Sequence, residues 1–204
     1  MASSSNGLLA QVSTAHLVSH LHIMAVPAML PLLPTAMQVS FVELGIAIGV
    51  FNIVSALVQA PLGFLVDRAG ARRMLLAALA LGSLSFSLLA IFPTYLCLLV
   101  AMGLAGLANG VYHPADYSLL SRGIVPERMG RAFSIHTFAG FLGAALAPPL
   151  MVGAALAWEP RWSFAIAAGA GVSDLVQGFT VDIVGDGSNE QDYYMTSQGR
   201  LGTD

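Results

Sequence analysis

The apolar residues of this chain come in runs longer than about 18 residues, the length that carries a helix across a bilayer. A water-soluble bundle rarely holds such runs without a charge to break them. Composition closes that route further: 9% of the residues are charged and 56% are hydrophobic, whereas a soluble domain covers its surface with about a quarter charged residues. There is no Lys, and the eight Arg sit between the apolar runs or in the C-terminal stretch. The chain therefore reads as an all-α integral membrane protein. Its start lacks the basic segment and short apolar core of a cleavable signal peptide, so the first apolar run is expected to be a retained helix.

Five spans are expected, over about 8–35, 41–66, 74–92, 95–120 and 132–158. A sixth begins near 162 and loses its apolar character at about 172, so it is expected to be incomplete. Pro27, Pro31 and Pro34 should kink or end the first helix, because each removes a backbone donor. Gly45 and Gly49, then Gly103, Gly106 and Gly110, then Gly140 and Gly143 are placed to let helices approach closely. Up to residue 170 the chain carries seven Arg against five acids; after it, one Arg against six acids. That shift separates a helical domain, 1–170, from a polar acidic tail, 173–204. Continuing the sixth helix would bury Asp174 at about 3 kcal/mol. The expectation is a disordered or frameshift-derived tail on a truncated form of a longer protein; a half-size protein that dimerises is the alternative.

Arg68, Arg72 and Arg73 follow the second helix, and Arg122, Arg128 and Arg131 follow the fourth; the connections on the opposite side hold Arg161 alone. Short Arg-rich loops stay cytoplasmic. The N-terminus is thus expected inside, with Trp158 and Trp162 at the outer interface.

The connection between the second and third helices reads GFLVDRAGARR, from Gly63 to Arg73. A topogenic cluster explains its arginines but not Asp67 or the two glycines. Gly70 suits a tight turn with positive φ. The spacing resembles the loop signature of the major facilitator superfamily, G-x-x-x-D-R-x-G-x-R-R, which Gly63, Asp67, Arg68, Gly70, Arg72 and Arg73 all match in the expected topological place. GVYHPADYSLLS (110–121) and GRAFSIHTFAGFLGAALAPP (130–149) are similar to bacterial facilitator-type transporters, including those related to fosmidomycin-resistance exporters. The Arg often found in the family's helix-four motif is absent; Ala101 and Met102 stand in its neighbourhood. The resemblance implies the N-terminal six-helix half of a facilitator-type bundle, built from inverted three-helix repeats, with the first and fourth helices on a central cavity. It implies transport of a small molecule by alternating access, a location in a bacterial inner membrane, and for the Gly63–Arg73 loop a role in switching between states. In that role Asp67 needs a partner, for which Arg72 and Arg131 are the candidates.

All five histidines lie in or beside apolar helices. Ionisable groups there are expensive and usually face a cavity or a partner. His16 and His20 share one face of the first helix, whereas His22 points elsewhere and suits a backbone bond. Asp116 lies three residues from His113 on the fourth helix, close enough to touch it. If the first and fourth helices share a cavity, His16, His20, His113 and Asp116 form one cluster, with Asn109, Tyr112 and His136 as further candidates. Such a group can carry a proton or bind a polar substrate. Against this, each His alone can simply bond a carbonyl, and Asn52, Gln59 and Asn109 can equally bond neighbouring helices.

Other classes find no support. Cys97 is single, no Cys or His spacing with acids marks a metal site, and Ser118 and Ser134 have no adjacent base, so no enzyme and no cofactor are expected. No basic stripe suggests nucleic acid. The expected partners are a small-molecule substrate, protons, the lipid bilayer and a second half, supplied by a homodimer or a C-terminal continuation. A non-transporting membrane protein that acts through helix packing is the competing reading.

Overall fold

A computed structural model describes residues 2–180, and every described element is a helix: α1 (Ala2–Ala28), the short α2 (Leu33–Met37), α3 (Phe41–Ala69), α4 (Ala71–Ile91), α5 (Tyr95–Gly123), α6 (Pro126–Ala157) and α7 (Pro160–Thr180). Helices α3 to α6 are long and apolar enough to cross a membrane. α1 and α7 also have the length, 27 and 21 residues at about 1.5 Å each, but carry more polar side chains. Part of the expected tail, 181–204, lies outside the described residues.

The sequence-based boundaries change in three places. The first span is not one helix to 35. Its backbone leaves α1 at Ala28, turns through 29–32 and re-forms as α2, which ends at Gln38 with φ 54°. Pro31, which cannot donate, falls in that break, and Pro34 stands in the first turn of α2, where a missing donor costs little. α6 starts six residues early, at Pro126, because a Pro at the first helical position lacks only a donor that would be unsatisfied anyway. α7 does not stop at 172 but runs to Thr180. Asp174 does not face lipid: it is 3% exposed, packed among protein groups that include Thr14 and Tyr112.

The ends of the helices have local causes. Ser40 caps α3, accepting from the Glu43 amide at 3.2 Å while the Glu43 carboxylate accepts from the Ser40 amide at 2.7 Å; this reciprocal pair satisfies two otherwise orphaned donors. Thr94 caps α5 through the Cys97 amide at 3.3 Å. A single residue, Gly70, joins α3 to α4, with φ 93° and ψ 129°, the positive φ that a side chain disfavours.

The packing is reciprocal. α1 lies along α6, and α5 lies along α3, while α4 packs on α5 and α7. Take α1, α3 and α4 as one triplet and α5, α6 and α7 as the other. The first helix of each triplet then packs on the second helix of the other, the exchange expected of paired repeats. Small residues allow it. A Cβ on Gly143 would collide with the Leu17 backbone of α1, and one on Gly106 would stand 3.1 Å from the Phe51 Cα of α3. The Gly45 and Gly49 pair, by contrast, meets nothing within 4 Å and closes no helix contact among the described residues.

Two apolar cores stack along the bundle. One gathers Leu21, Met29, Phe51, Phe86, Met102 and Phe164; the other gathers Val12, Val18, Leu75, Leu79, Leu119 and Leu120. The α5–α6 connection and the start of α1 share one end of the bundle, since Arg128 bonds Ser5 Oγ at 3.3 Å and Asn6 Oδ1 at 2.7 Å. The outward faces are apolar, including Ile53, Leu57 and Phe64 on α3 and Phe138 and Phe141 on α6.

Candidate functional site

α5 and α6 scarcely touch; α1 lies between them. Polar side chains from all three helices meet there. α1 places His16 and His20 one turn apart, with ring centroids 4.5 Å from each other. α5 continues helical through Pro114 and presents His113 and Asp116. α6 presents His136, whose ring stacks on His16 at 3.9 Å between centroids and 24° between planes. Asp116, fully buried, is the centre of the group. Its Oδ2 lies 3.4 Å from His16 Nδ1 and 3.7 Å from His136 Nε2. The His113 ring stands 5.3 Å from that of His16.

These approaches are not hydrogen bonds. Both Asp116 oxygens, both His136 nitrogens, His16 Nδ1 and His113 Nδ1 are buried without a hydrogen-bond partner among the described residues. A buried polar atom left unpaired costs about 1–3 kcal/mol, so several together mark a place built for something besides packing. The ligand atoms of His16, Asp116 and His136 all lie within 4.8 Å of one another. The group is reachable: His20 and His113 are half-buried, and Tyr117, 5.7 Å from His113 and 6.0 Å from His136 between centroids, is exposed. Space for the rings comes from Gly140, where a Cβ would come within 2.6 Å of His16 Cδ2 and Nε2.

The structure thus brings His16, His20, His113, Asp116 and His136 together. It separates the other two candidates from them. Asn109 donates to Ser55 Oγ at 2.7 Å, joining α5 to α3. Tyr112 turns toward α4 and α7: its hydroxyl is buried and unpartnered, close to Gly82 and within electrostatic reach of both Asp116 and Asp174. His22 donates through Nε2 to the Ala167 carbonyl at 2.8 Å, a bond between α1 and α7. Asn52 bonds the Ile48 carbonyl of its own helix.

Two residues were missed from the sequence. Tyr117 stands four residues after His113, a spacing that puts both on one face, and this signal was available. Asp174 has no such signal, because the sequence counts its cost in lipid and cannot show the protein groups that enclose it.

In the Gly63–Arg73 loop, Asp67, Arg68 and Arg73 are exposed. Asp67 forms no ion pair among the described residues. Neither of its two expected partners takes it up: Arg72 reaches the other way, donating through Nη2 to the Gly178 carbonyl of α7 at 3.1 Å.

Comparison with known proteins agrees with this architecture. Residues 12–181 match the profile of the Major Facilitator Superfamily. The chain is similar to the MFS-type transporter YfnC of Bacillus subtilis, 28% identical over 141 residues, which are 69% of this chain and 34% of that protein. It is similar to the fosmidomycin resistance protein of Escherichia coli, 28% identical over 149 residues, 73% of this chain and 36% of that protein. A probable anion transporter of Oryza sativa is 32% identical over 111 residues, 54% of this chain and 25% of that protein. The matched stretch spans about a third of the length of the first two relatives. With its family profile, its loop signature and its exchanged helix triplets in agreement, this chain is an integral membrane protein that belongs to the Major Facilitator Superfamily.

Proposed function

We propose that this chain forms one six-helix half of a secondary transporter, which moves a small polar or charged molecule by alternating access and couples it to protons. The observation that carries the reading is the buried Asp116 facing His16 and His136 in the space between α5 and α6. Ionisable side chains at membrane depth are retained for ion or substrate traffic, and imidazole changes charge near neutral pH. The carboxylate attracts a proton or cation, the two rings exchange it, and His20, His113 and Tyr117 lead outward from it. A second six-helix bundle completes the cavity. The exposed apolar faces of α3 and α6 suit lipid and that second bundle, and the Arg-rich end of the bundle suits the cytoplasm. The relatives named for transport or resistance favour the same class.

The test is reconstitution in liposomes with an imposed pH gradient, recording proton flux across a panel of small molecules. Substrate-dependent flux that disappears in Asp116→Asn and falls in His113→Ala supports the reading. Flux unchanged in both variants overturns the site, and its absence from folded, inserted protein overturns transport by this chain alone.

A further inference from the structure

We propose that His16, Asp116 and His136 bind a divalent transition-metal cation of the zinc class. This rests on reading the cluster as the ligand site and narrows what the ligand is.

The donor set is two imidazoles and one carboxylate. Imidazole nitrogen with carboxylate oxygen suits zinc and its neighbours, whereas magnesium and calcium favour oxygen alone. The spacing fits as well. Zinc holds nitrogen and oxygen ligands at about 2.0–2.1 Å, so the edges of its tetrahedron measure about 3.3–3.4 Å. The two observed edges from Asp116 Oδ2 are 3.4 Å to His16 Nδ1 and 3.7 Å to His136 Nε2. The third edge is looser, with all three ligand atoms within 4.8 Å. The His16 and His136 rings are stacked, and an imidazole binds a metal in its own plane. One ring must therefore turn out of the stack as the ion enters, which shortens that third edge.

The unpartnered atoms point the same way. His16 is 4% exposed, Asp116 0% and His136 1%, and the nitrogens and oxygens that would ligate have no hydrogen-bond partner among the described residues. A cation would satisfy all of them at once, with both imidazoles neutral. His113, with Nδ1 also unpartnered, is the next donor and can fill the fourth position; otherwise water does. The three ligands come from three helices of both triplets, so an ion bound there ties the triplets together.

The experiment uses the full chain in detergent, purified without a histidine tag, and zinc alone as the probe. Equilibrium binding should give one tightly bound zinc per chain. Asp116→Asn and His136→Gln should each weaken binding by more than about a hundredfold, beyond what is lost when only an outer partner of a ligand is removed. His22→Gln, which alters a histidine bonded on the α7 side, should leave the affinity unchanged. X-ray absorption on the wild-type zinc complex should show imidazole scattering with a nitrogen and oxygen shell at about 2.0–2.1 Å; this measurement does not depend on any variant folding. No stoichiometric zinc, equal affinity in Asp116→Asn, or an all-oxygen shell overturns the proposal. Failure here with proton flux still dependent on Asp116 leaves the transport reading standing. Zinc binding without flux removes transport by this chain alone and leaves the metal site.

Discussion

Gly140 of α6 lies flat against the His16 ring of α1: the Cβ it lacks would come within 2.6 Å of Cδ2 and Nε2. The contact links helix approach to site geometry in one position. Gly140→Ala should push the ring off Asp116 and cost about 1–3 kcal/mol through overpacking. Gly153 on the same helix meets nothing within 4 Å, and Gly153→Ala should be neutral or slightly stabilising through helix propensity. Thermal unfolding of both variants in detergent checks the pair, and equal melting temperatures would refute the contact.

Gly70 makes a second prediction. Its φ of 93° with ψ of 129° lies outside the left-handed helical well, in backbone territory open to glycine alone. Gly70→Ala should therefore cost about 1–3 kcal/mol, and Gly70→Asn should not rescue it, since Asn tolerates only the left-handed helical region. Urea or heat unfolding of the inserted protein measures both.

Arg72 and Asp67 share one loop but should answer differently to substitution. Arg72→Gln removes a donor to the Gly178 carbonyl and should loosen the end of α7, seen as faster amide exchange there. The expected loss is about 1.5–3 kcal/mol, as for hydrogen bonds made by charged groups. Asp67 is exposed and has no ion pair among the described residues, so Asp67→Asn should leave stability within about 0.5 kcal/mol while impairing transport. Unfolding and flux measured on the same preparations separate the two outcomes.

His22 provides the contrast to the site histidines. It bonds a carbonyl of α7 and lies apart from Asp116. His22→Ala should lower stability by about 1–3 kcal/mol, because it removes a buried bond between α1 and α7 and the ring packed on Phe86, while flux per folded molecule stays unchanged. Flux that fell further than the folded fraction would move His22 into the site.

How far the sequence could be read follows from what each feature depends on. The spans over 41–66, 74–92, 95–120 and 132–158 were visible because apolar runs are local, and four helices of membrane-crossing length stand there. The φ of Gly70 was legible because the loop signature fixes it. The cluster of His16, His20, His113 and Asp116 was reached only by assuming that the first and fourth helices meet. The grouping of His16, Asp116 and His136 is hidden for a related reason: the three have no motif spacing, since each comes from a different helix. Asp174 misled because hydropathy treats every residue past 172 as facing lipid, whereas protein groups that include Thr14 of α1 and Tyr112 of α5 lie against it. Asn109 and Tyr112 lie on the right helix but on other faces, and a linear sequence does not state how a helix is rotated.

The exchanged packing of the two triplets also bears on how the chain enters the membrane. α1 is made before α5 and α6 and is polar for a spanning helix, yet its long partner, α6, begins only at Pro126. A hundred residues separate His16 from Asp116. During synthesis α1 must therefore wait, with its imidazoles uncovered, until α5 and α6 arrive.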